Sequence, residues 1–199
     1  TRPSLLVVDV SVEVTLLARL YGIPVVVLAM PGERTDTAHT LAYRVADHLI
    51  APWSQDVYDP HWLRSYATSY VGGISRFDGR PSPTRTAGEK PRVLVMSGSG
   101  GSSITVDDLH RFSSRFPQYE WEGLGVAGGP WIDDPWPVLT GADVVIGHAG
   151  QNTVADIAAA ARPAVVIAEP RPFDEQRSTA TALEKAGLTV GLDGWPDPN

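Results

Sequence analysis

Residues 142–168, ADVVIGHAGQNTVADIAAAARPAVVIA, decide how the chain folds. A strand at 143–146, Asp143 followed by three β-branched apolar residues, leads into Gly147, His148, Ala149, Gly150, Gln151 and Asn152. An alanine-rich helical stretch over 153–161 and a second apolar run at 164–168 complete the unit. Strand, loop, helix and strand in that order make a βαβ crossover, which sets the two strands parallel in one sheet. The loop is unusual in carrying a histidine between two glycines at the mouth of a helix. Loops at the C-terminal edge of a parallel sheet are where such folds bind ligands, and a helix start offers unpaired N–H groups and partial positive charge. A local explanation competes with a ligand. Thr153-Val-Ala-Asp156 fits the Ser/Thr-x-x-Asp/Glu capping box, which accounts for both residues. Capping does not account for His148, nor for Gly147 and Gly150 beside it.

The same rhythm runs outward in both directions. Towards the N-terminus, 5–10 reads as a buried parallel strand, 12–21 as a helix closed by Gly22, and 23–29 as a strand. A helix is expected over 35–50, capped by Thr35 or Asp36. Residues 53–66 are aromatic and irregular, and Tyr70-Val-Gly-Gly-Ile-Ser reads as a short strand leaving a core. After DGRPSPTRTAGEKP (78–91), rich in proline, glycine and charge, the alternation restarts. Strands are expected at 92–96, 119–126 and 189–192, helices at 105–116 and 175–185, and a short helix around 138–139. The expected class is α/β, with βαβ units built twice: 1–77, a linker at 78–91, and 92–199.

Composition narrows the function. The 199 residues are 43% apolar and 20% charged, an ordinary globular balance. A net charge of −7 with no Lys/Arg cluster longer than a dipeptide argues against nucleic acid as the main partner. With no cysteine, thiol nucleophiles, thiolate metal sites and disulfides are excluded. No apolar run reaches the ~20 residues that a bilayer-spanning helix needs. The five histidines are scattered without His-x-His or His-Glu-x-x-His spacing, no Asp-x-Asp pair stands ready for a metal diphosphate, and no Gly-x-Ser-x-Gly elbow occurs. No metal site or resident cofactor is therefore expected.

Two further loops follow strands. MSGSGGSS (96–103) allows close backbone approach to a phosphate, but lacks the Gly-Lys-Ser/Thr of a Walker loop. It matches the dinucleotide fingerprint only at Gly98 and Gly100, with Ser103 where a third glycine belongs. Glu169-Pro-Arg-Pro-Phe-Asp-Glu-Gln176 precedes a helix that Asp174 can cap, which leaves Gln176 for a polar ligand.

The three loops form one constellation, and residues 142–176 resemble the donor domain of GT-B glycosyltransferases, closest to family 28. The likeness is strongest over 93–190 and looser over 5–75. It implies two Rossmann-like parallel domains, the first incomplete, and transfer of a sugar from a nucleotide-diphosphate donor, UDP-linked by preference, without a metal. In the glycine-rich loop, it implies that Ser97, Gly98, Gly100, Gly101 and Ser102 lie near the donor diphosphate. Trp131 and Ile132 fall where such enzymes hold the base. His148, Ala149, Gly150, Gln151, Asn152 and Thr153 would hold the diphosphate, with His148 stabilising the leaving group. Asp156 matches the acid that binds ribose hydroxyls, one carbon shorter than the usual glutamate. Glu175 and Gln176 match the pair that contacts the transferred sugar.

The family's opening glycine-rich strand and loop, which commonly carries the catalytic base, has no counterpart here. The chain is accordingly expected to be a fragment that binds donor, with the other half supplied by a missing N-terminal portion or by a partner chain. The acceptor, lipid-linked or small, is not named by the sequence. A cytoplasmic place, with peripheral membrane contact as an option, and a bacterial source are what the resemblance implies. The rival readings are a non-catalytic nucleotide-sugar-binding subunit and, resting on SGSGGSS alone, a dinucleotide-dependent oxidoreductase.

Overall fold

The computed structural model describes residues 3–83, 88, 90–98 and 100–196. Ser99 of the glycine-rich loop and residues 84–87 and 89 of the expected linker lie outside the described residues. Two sheets form, each wholly parallel. The first has four strands in the order β1-β2-β3-β4 and the second five in the order β6-β5-β7-β8-β9. The first contains β1 (Leu6–Asp9), β2 (Val25–Leu28), β3 (His48–Ala51) and β4 (Thr68–Tyr70). Helices α1 (Val12–Leu20) and α2 (Thr37–Val45) make its first two crossovers, and the third, from β3 to β4, runs through a 3-10 turn at Leu63–Ser65. Val25, Val27, Leu49 and Ala51 are buried between this sheet and Tyr43, Trp62 and Leu63.

The second sheet contains β5 (Arg92–Met96), β6 (Glu120–Leu124), β7 (Val144–His148), β8 (Ala164–Ile167) and β9 (Val190–Leu192). Its helices are α3 (Val106–Arg115), α4 (Trp136–Gly141), α5 (Gln151–Ala159) and α6 (Glu175–Lys185). Its central strands β5 and β7 pair with each other, Val93 opposite Val144 and Met96 opposite Gly147, so their C-terminal loops emerge side by side. Here the strand order reverses: β6 lies on one side of β5, and β7, β8 and β9 on the other. Such a switch point opens a crevice. Capping explains the firmest helix start: Thr105 and Asp108 form a reciprocal capping box at α3.

Several local expectations are corrected. The helix expected over 35–50 stops at Val45, and His48–Ala51 is β3 instead. Ala46 turns extended, and the Asp47 carboxylate accepts the Val25 N–H at 2.8 Å, fixing the chain beside β2 rather than continuing the helix. The strand at 5–10, expected to be buried, lies at a sheet edge with Val7 56% exposed. The strand expected from Tyr70 onward is Thr68–Tyr70 and ends where it was expected to begin. Asp174 occupies the cap position of α6 but in the left-handed region and without a side-chain cap.

The segment after β4 crosses to the second sheet at once. Phe77 is buried against Trp136 in that sheet's core, with ring centroids 4.9 Å apart. Arg80 grips Asp134 through both guanidinium nitrogens at 2.9 and 3.0 Å.

Candidate functional site

A cleft of about 760 Å³ runs between the C-terminal edges of the two sheets. The first sheet contributes Asp9, Val10, Leu28, Met30 and Pro52, the second all three glycine-bearing or polar loops. Val10 sits at φ 66, an unfavourable conformation for a β-branched residue, at the tip of β1. A smaller pocket of about 190 Å³, walled by Arg92, Glu120 and Pro137, lies at the opposite, strand-entry edge. Ligands of open parallel sheets bind at the carboxyl ends of strands, so the larger cleft is the candidate.

Most of the residues singled out in the sequence converge there. From the glycine-rich loop come Ser97, Gly98, Gly100 and Gly101, and from the loop after β6 Trp131 and Ile132. His148, Gly150, Gln151, Asn152, Thr153 and Asp156 line the next wall, and Glu175 and Gln176 the last. Two do not line it. Ala149 has its side chain fully buried against Val166 and Ala168. Ser102 lies behind His148, its hydroxyl 3.3 Å from Nε2.

The start of α5 rules out the side-chain cap suggested by the sequence of this loop. The helix begins at Gln151, not Thr153, and its cap residue is Gly150, which has no side chain to offer. Thr153 is therefore inside the first turn, and the capping box suggested by Thr153 and Asp156 does not form. Asp156 instead accepts the Ser75 hydroxyl at 2.6 Å and faces Arg76 at 3.5 Å. The first N–H groups of α5 have no intrahelical acceptor and no side-chain cap, and they open on the cleft. The Gln151 amide Nε2 is buried with no hydrogen-bond partner among the described residues.

The glycines divide by cause. A Cβ on Gly147 would press on Thr153 Cγ2 at 2.9 Å and Ile157 Cδ1 at 3.1 Å, so that glycine lets α5 close on β7. Gly150 has φ −72 and ψ 142, open to any residue, and its nearest neighbour to a Cβ would be Gln176 Nε2 at an ordinary 3.6 Å. Neither backbone nor packing requires a glycine at 150.

His148 ends β7 and is 3% exposed. Its Nε2 lies 3.1 Å from Glu169 Oε1 and its Nδ1 3.4 Å from the Ser97 hydroxyl. Burial pushes its pKa below the usual histidine value; the Glu169 charge opposes this and Arg171 reinforces it. A neutral ring with its proton on Nε2 donates to Glu169 and accepts from Ser97. Glu169 Oε1 also accepts the Ser103 N–H at 3.0 Å and the Ser103 hydroxyl. Burial by itself would raise the Glu169 pKa, but the Ser103 donors, His148 and Arg171 outweigh it and hold it below the ordinary carboxylate value. A carboxylate thus takes up donors of the glycine-rich loop and the histidine together. Arg171 ties the same loops, donating to the Gly100 carbonyl at 2.7 Å.

Glu175 and Gln176 form the far end. Gln176 Oε1 accepts the Glu169 N–H at 3.0 Å, while its Nε2 is turned towards Gly150. Glu175 pairs with Arg34 of the first sheet at 3.2 Å. Burial raises the Glu175 carboxyl, and Arg34 and Arg171 counter part of that. Sequence reasoning did not place Arg34, Arg76, Arg171 or Ser103 in this cluster, nor Glu169 as the partner of His148. The only hint was that Glu169 and Arg171 follow a strand in a ligand-type loop. Among the described residues no three His, Asp or Glu side chains converge on a metal-sized site. No helix among them is long and apolar enough to cross a membrane.

Residues 108–194 match the model of the glycosyltransferase family 28 C-terminal domain. The chain is 27% identical over 201 residues to the UDP-N-acetylglucosamine--N-acetylmuramyl-(pentapeptide) pyrophosphoryl-undecaprenol N-acetylglucosamine transferase of Cupriavidus metallidurans. That match covers 88% of this chain and 54% of the relative, so the chain spans about half the length of the curated relatives it matches. Among solved structures, the glycotransferase of kitacinnamycin superposes with a TM-score of 0.68 at 16% identity, covering 99% of this chain and 65% of that one. MurG of Acinetobacter baumannii superposes at 0.61 and 18% identity, covering 92% and 57%. Two parallel α/β sheets facing each other across a cleft are the GT-B arrangement, and this chain has it.

Proposed function

From a chain whose second sheet is a family 28-like C-terminal domain, we propose a glycosyltransferase half-site that binds a nucleotide-diphosphate sugar, UDP-linked by preference, and presents it for transfer. Residues 1–77 are assigned as the C-terminal part of the acceptor-side unit, 78–91 as the connection, and 92–199 as the donor-binding unit. One observation carries the reading. The uncapped start of α5, His148, the glycine-rich loop and the Glu175–Gln176 pair line one cleft, with anion donors in the middle and sugar-type donors and acceptors at one end. The name of the Cupriavidus relative supports UDP-N-acetylglucosamine as the first donor to try and a lipid-linked acceptor.

The diphosphate lies against the first N–H groups of α5 and the 97–103 loop, where a helix start contributes up to ~2 kcal/mol when partly buried. Trp131 and Ile132 flank the base, Asp156 meets the ribose, and Glu175 with Gln176 hold the sugar hydroxyls. In transfer, the acceptor oxygen attacks the anomeric carbon, whose bond to the diphosphate oxygen breaks. Charge then grows on that diphosphate. His148 Nε2–H, Arg171 and the α5 N–H groups oppose it by preorganised electrostatics, with no metal or resident cofactor in the step. The proton leaving the acceptor goes to a base that we do not assign to any residue of this chain. The activity is therefore expected only once the rest of the acceptor side is supplied in cis or by a partner chain. The reaction is placed on the cytoplasmic side, at a membrane surface if the acceptor is lipid-linked.

Calorimetry with UDP, TDP, GDP, UDP-N-acetylglucosamine and NADH tests this. Saturable binding of one nucleotide diphosphate, weakened by His148→Ala, is expected. Binding of NADH in preference to all of them would replace this reading with an oxidoreductase.

A further inference from the structure

The 171–176 loop carries a conformation that side chains disfavour, braced within by the Glu175 N–H on the Pro172 carbonyl. Phe173 and Asp174 are consecutive non-glycine residues with φ 61 and φ 52, both in the left-handed region that side chains disfavour. The α6 start that follows has no side-chain cap. What surrounds this turn comes from the other sheet. Arg34, 5% exposed, donates through Nη2 to Glu175 Oε2 at 3.2 Å and lies with its guanidinium carbon 4.5 Å from the Phe173 ring centroid. Its other nitrogens face the Pro31 carbonyl at 3.4 Å and His39 Nε2 at 3.2 Å. Arginine can only donate, so His39 Nε2 accepts, and the ring proton sits on Nδ1, 2.6 Å from Asp36 Oδ2. Asp36 in turn caps α2.

The backbone is matched as closely. The Glu33 N–H donates to the Phe173 carbonyl at 2.9 Å, and a Cβ on Gly32 would collide with that carbonyl oxygen. Tyr58 and Trp62 hold Gly32 from behind, the Trp62 indole N–H donating to its carbonyl at 3.0 Å. The loop between β2 and α2 thus presents one N–H and one guanidinium to the turn before α6.

We propose that Arg34 is a positioning residue through which the first sheet sets the geometry of the sugar-holding loop. It orients the Glu175 carboxylate and fixes the left-handed Phe173–Asp174 turn, without itself lining the cleft. The idea rests on the reading of Glu175 and Gln176 as sugar contacts. It adds that the sugar end of the donor site is completed from the acceptor side, whereas the α5 start and the 97–103 loop, assigned to the diphosphate, belong to the second sheet. Planar geometry matters here: a lysine ammonium would not stack on Phe173 while bonding Pro31, His39 and Glu175 together.

The test uses the full chain, as wild type, Arg34→Ala and Arg34→Lys, with two readouts. Hydrogen exchange without nucleotide is followed in peptides spanning 169–178, with peptides from β5 and α5 as controls. Calorimetry then compares UDP with UDP-N-acetylglucosamine. In Arg34→Ala, exchange over 169–178 is expected to speed at least tenfold while the controls stay unchanged. The affinity ratio of nucleotide sugar to nucleotide is expected to fall at least tenfold, with Arg34→Lys between the two. Unchanged exchange, or a parallel loss of both ligands, overturns the proposal. Should Arg34→Ala not fold, the same criteria are applied to Arg34→Lys. If the wild type binds neither ligand, the proposed function fails, and the exchange measurement alone decides the role of Arg34.

Discussion

Replacing Glu169 by glutamine should tighten the binding of a nucleotide diphosphate. The Glu169 carboxylate accepts the Ser103 N–H at 3.0 Å and faces His148 Nε2 at 3.1 Å. His148 lines the cleft, so its Nε2–H is the donor of the two that an incoming phosphate would meet. Two acceptors sharing one N–H lie roughly 5 Å apart, and unit charges at that distance repel by ~0.8 kcal/mol in water and ~3 kcal/mol at an effective dielectric of about 20. The cleft is open to solvent on one side, so the true figure falls between these. At 1.4 kcal/mol per decade, Glu169→Gln is expected to tighten UDP about 4-fold to ~150-fold. The amide oxygen of glutamine still accepts from Ser103 and His148, so the scaffold of the loop is kept. Calorimetry at fixed ionic strength near 0.15 M, where screening acts over ~8 Å, reads the change, with uridine as the uncharged control. An unchanged or weaker UDP affinity would refute the reasoning, and Glu169 would then be a support for His148 rather than a rival of the phosphate. An equal gain for uridine would also refute it, since charge would not be the cause.

Three other outcomes follow from the same geometry. Gly150→Ala should leave the unfolding free energy within about 1 kcal/mol of the wild type, since backbone and neighbours admit a Cβ, yet lower nucleotide affinity measured by calorimetry; a large loss of stability would show that the glycine serves the fold. Ser75→Ala removes the hydroxyl that Asp156 accepts at 2.6 Å in a buried position, and thermal unfolding should show a loss of ~1.5–3 kcal/mol, as for hydrogen bonds to charged groups. Because burial lowers the His148 pKa in the folded state from 6.5, the unfolded chain binds more protons near that pH. Its contribution to stability is then full above the unfolded value and is lost as pH falls from about 6.5 towards the lower, folded value. Denaturation of His148→Gln across pH 5–7.5 should give a shallower slope than the wild type in that window.

Much of the fold was legible because its strands are short β-branched runs bounded by turn residues. Residues 92–96 and 175–185 were expected at the bounds observed for β5 and α6. The overlong helix at 35–50 shows the limit. No glycine or proline marks the break after Val45, and the turn is made instead by Asp47 bonding to β2, a contact between residues 22 apart. The cleft was legible as three loops, since each follows a strand and carries glycines or polar residues. Its wiring was not. Ser103 meets Glu169 across 66 residues and Arg34 meets Glu175 across 141, separations on which local pattern is silent. The competing capping reading of Thr153 and Asp156 fails for a related reason: the local pattern matched a cap, but the helix expected from Thr153 starts two residues earlier, at Gln151.

A crystal structure with the tightest-binding nucleotide sugar tests the central claim most directly. The diphosphate is expected at the α5 start, within hydrogen-bond distance of the Gln151 or Asn152 N–H and of His148 Nε2, with Glu169 turned away and the sugar against Glu175 and Gln176. A nucleotide bound elsewhere, or a diphosphate pointing away from α5 with Glu169 still on Ser103, would contradict the account.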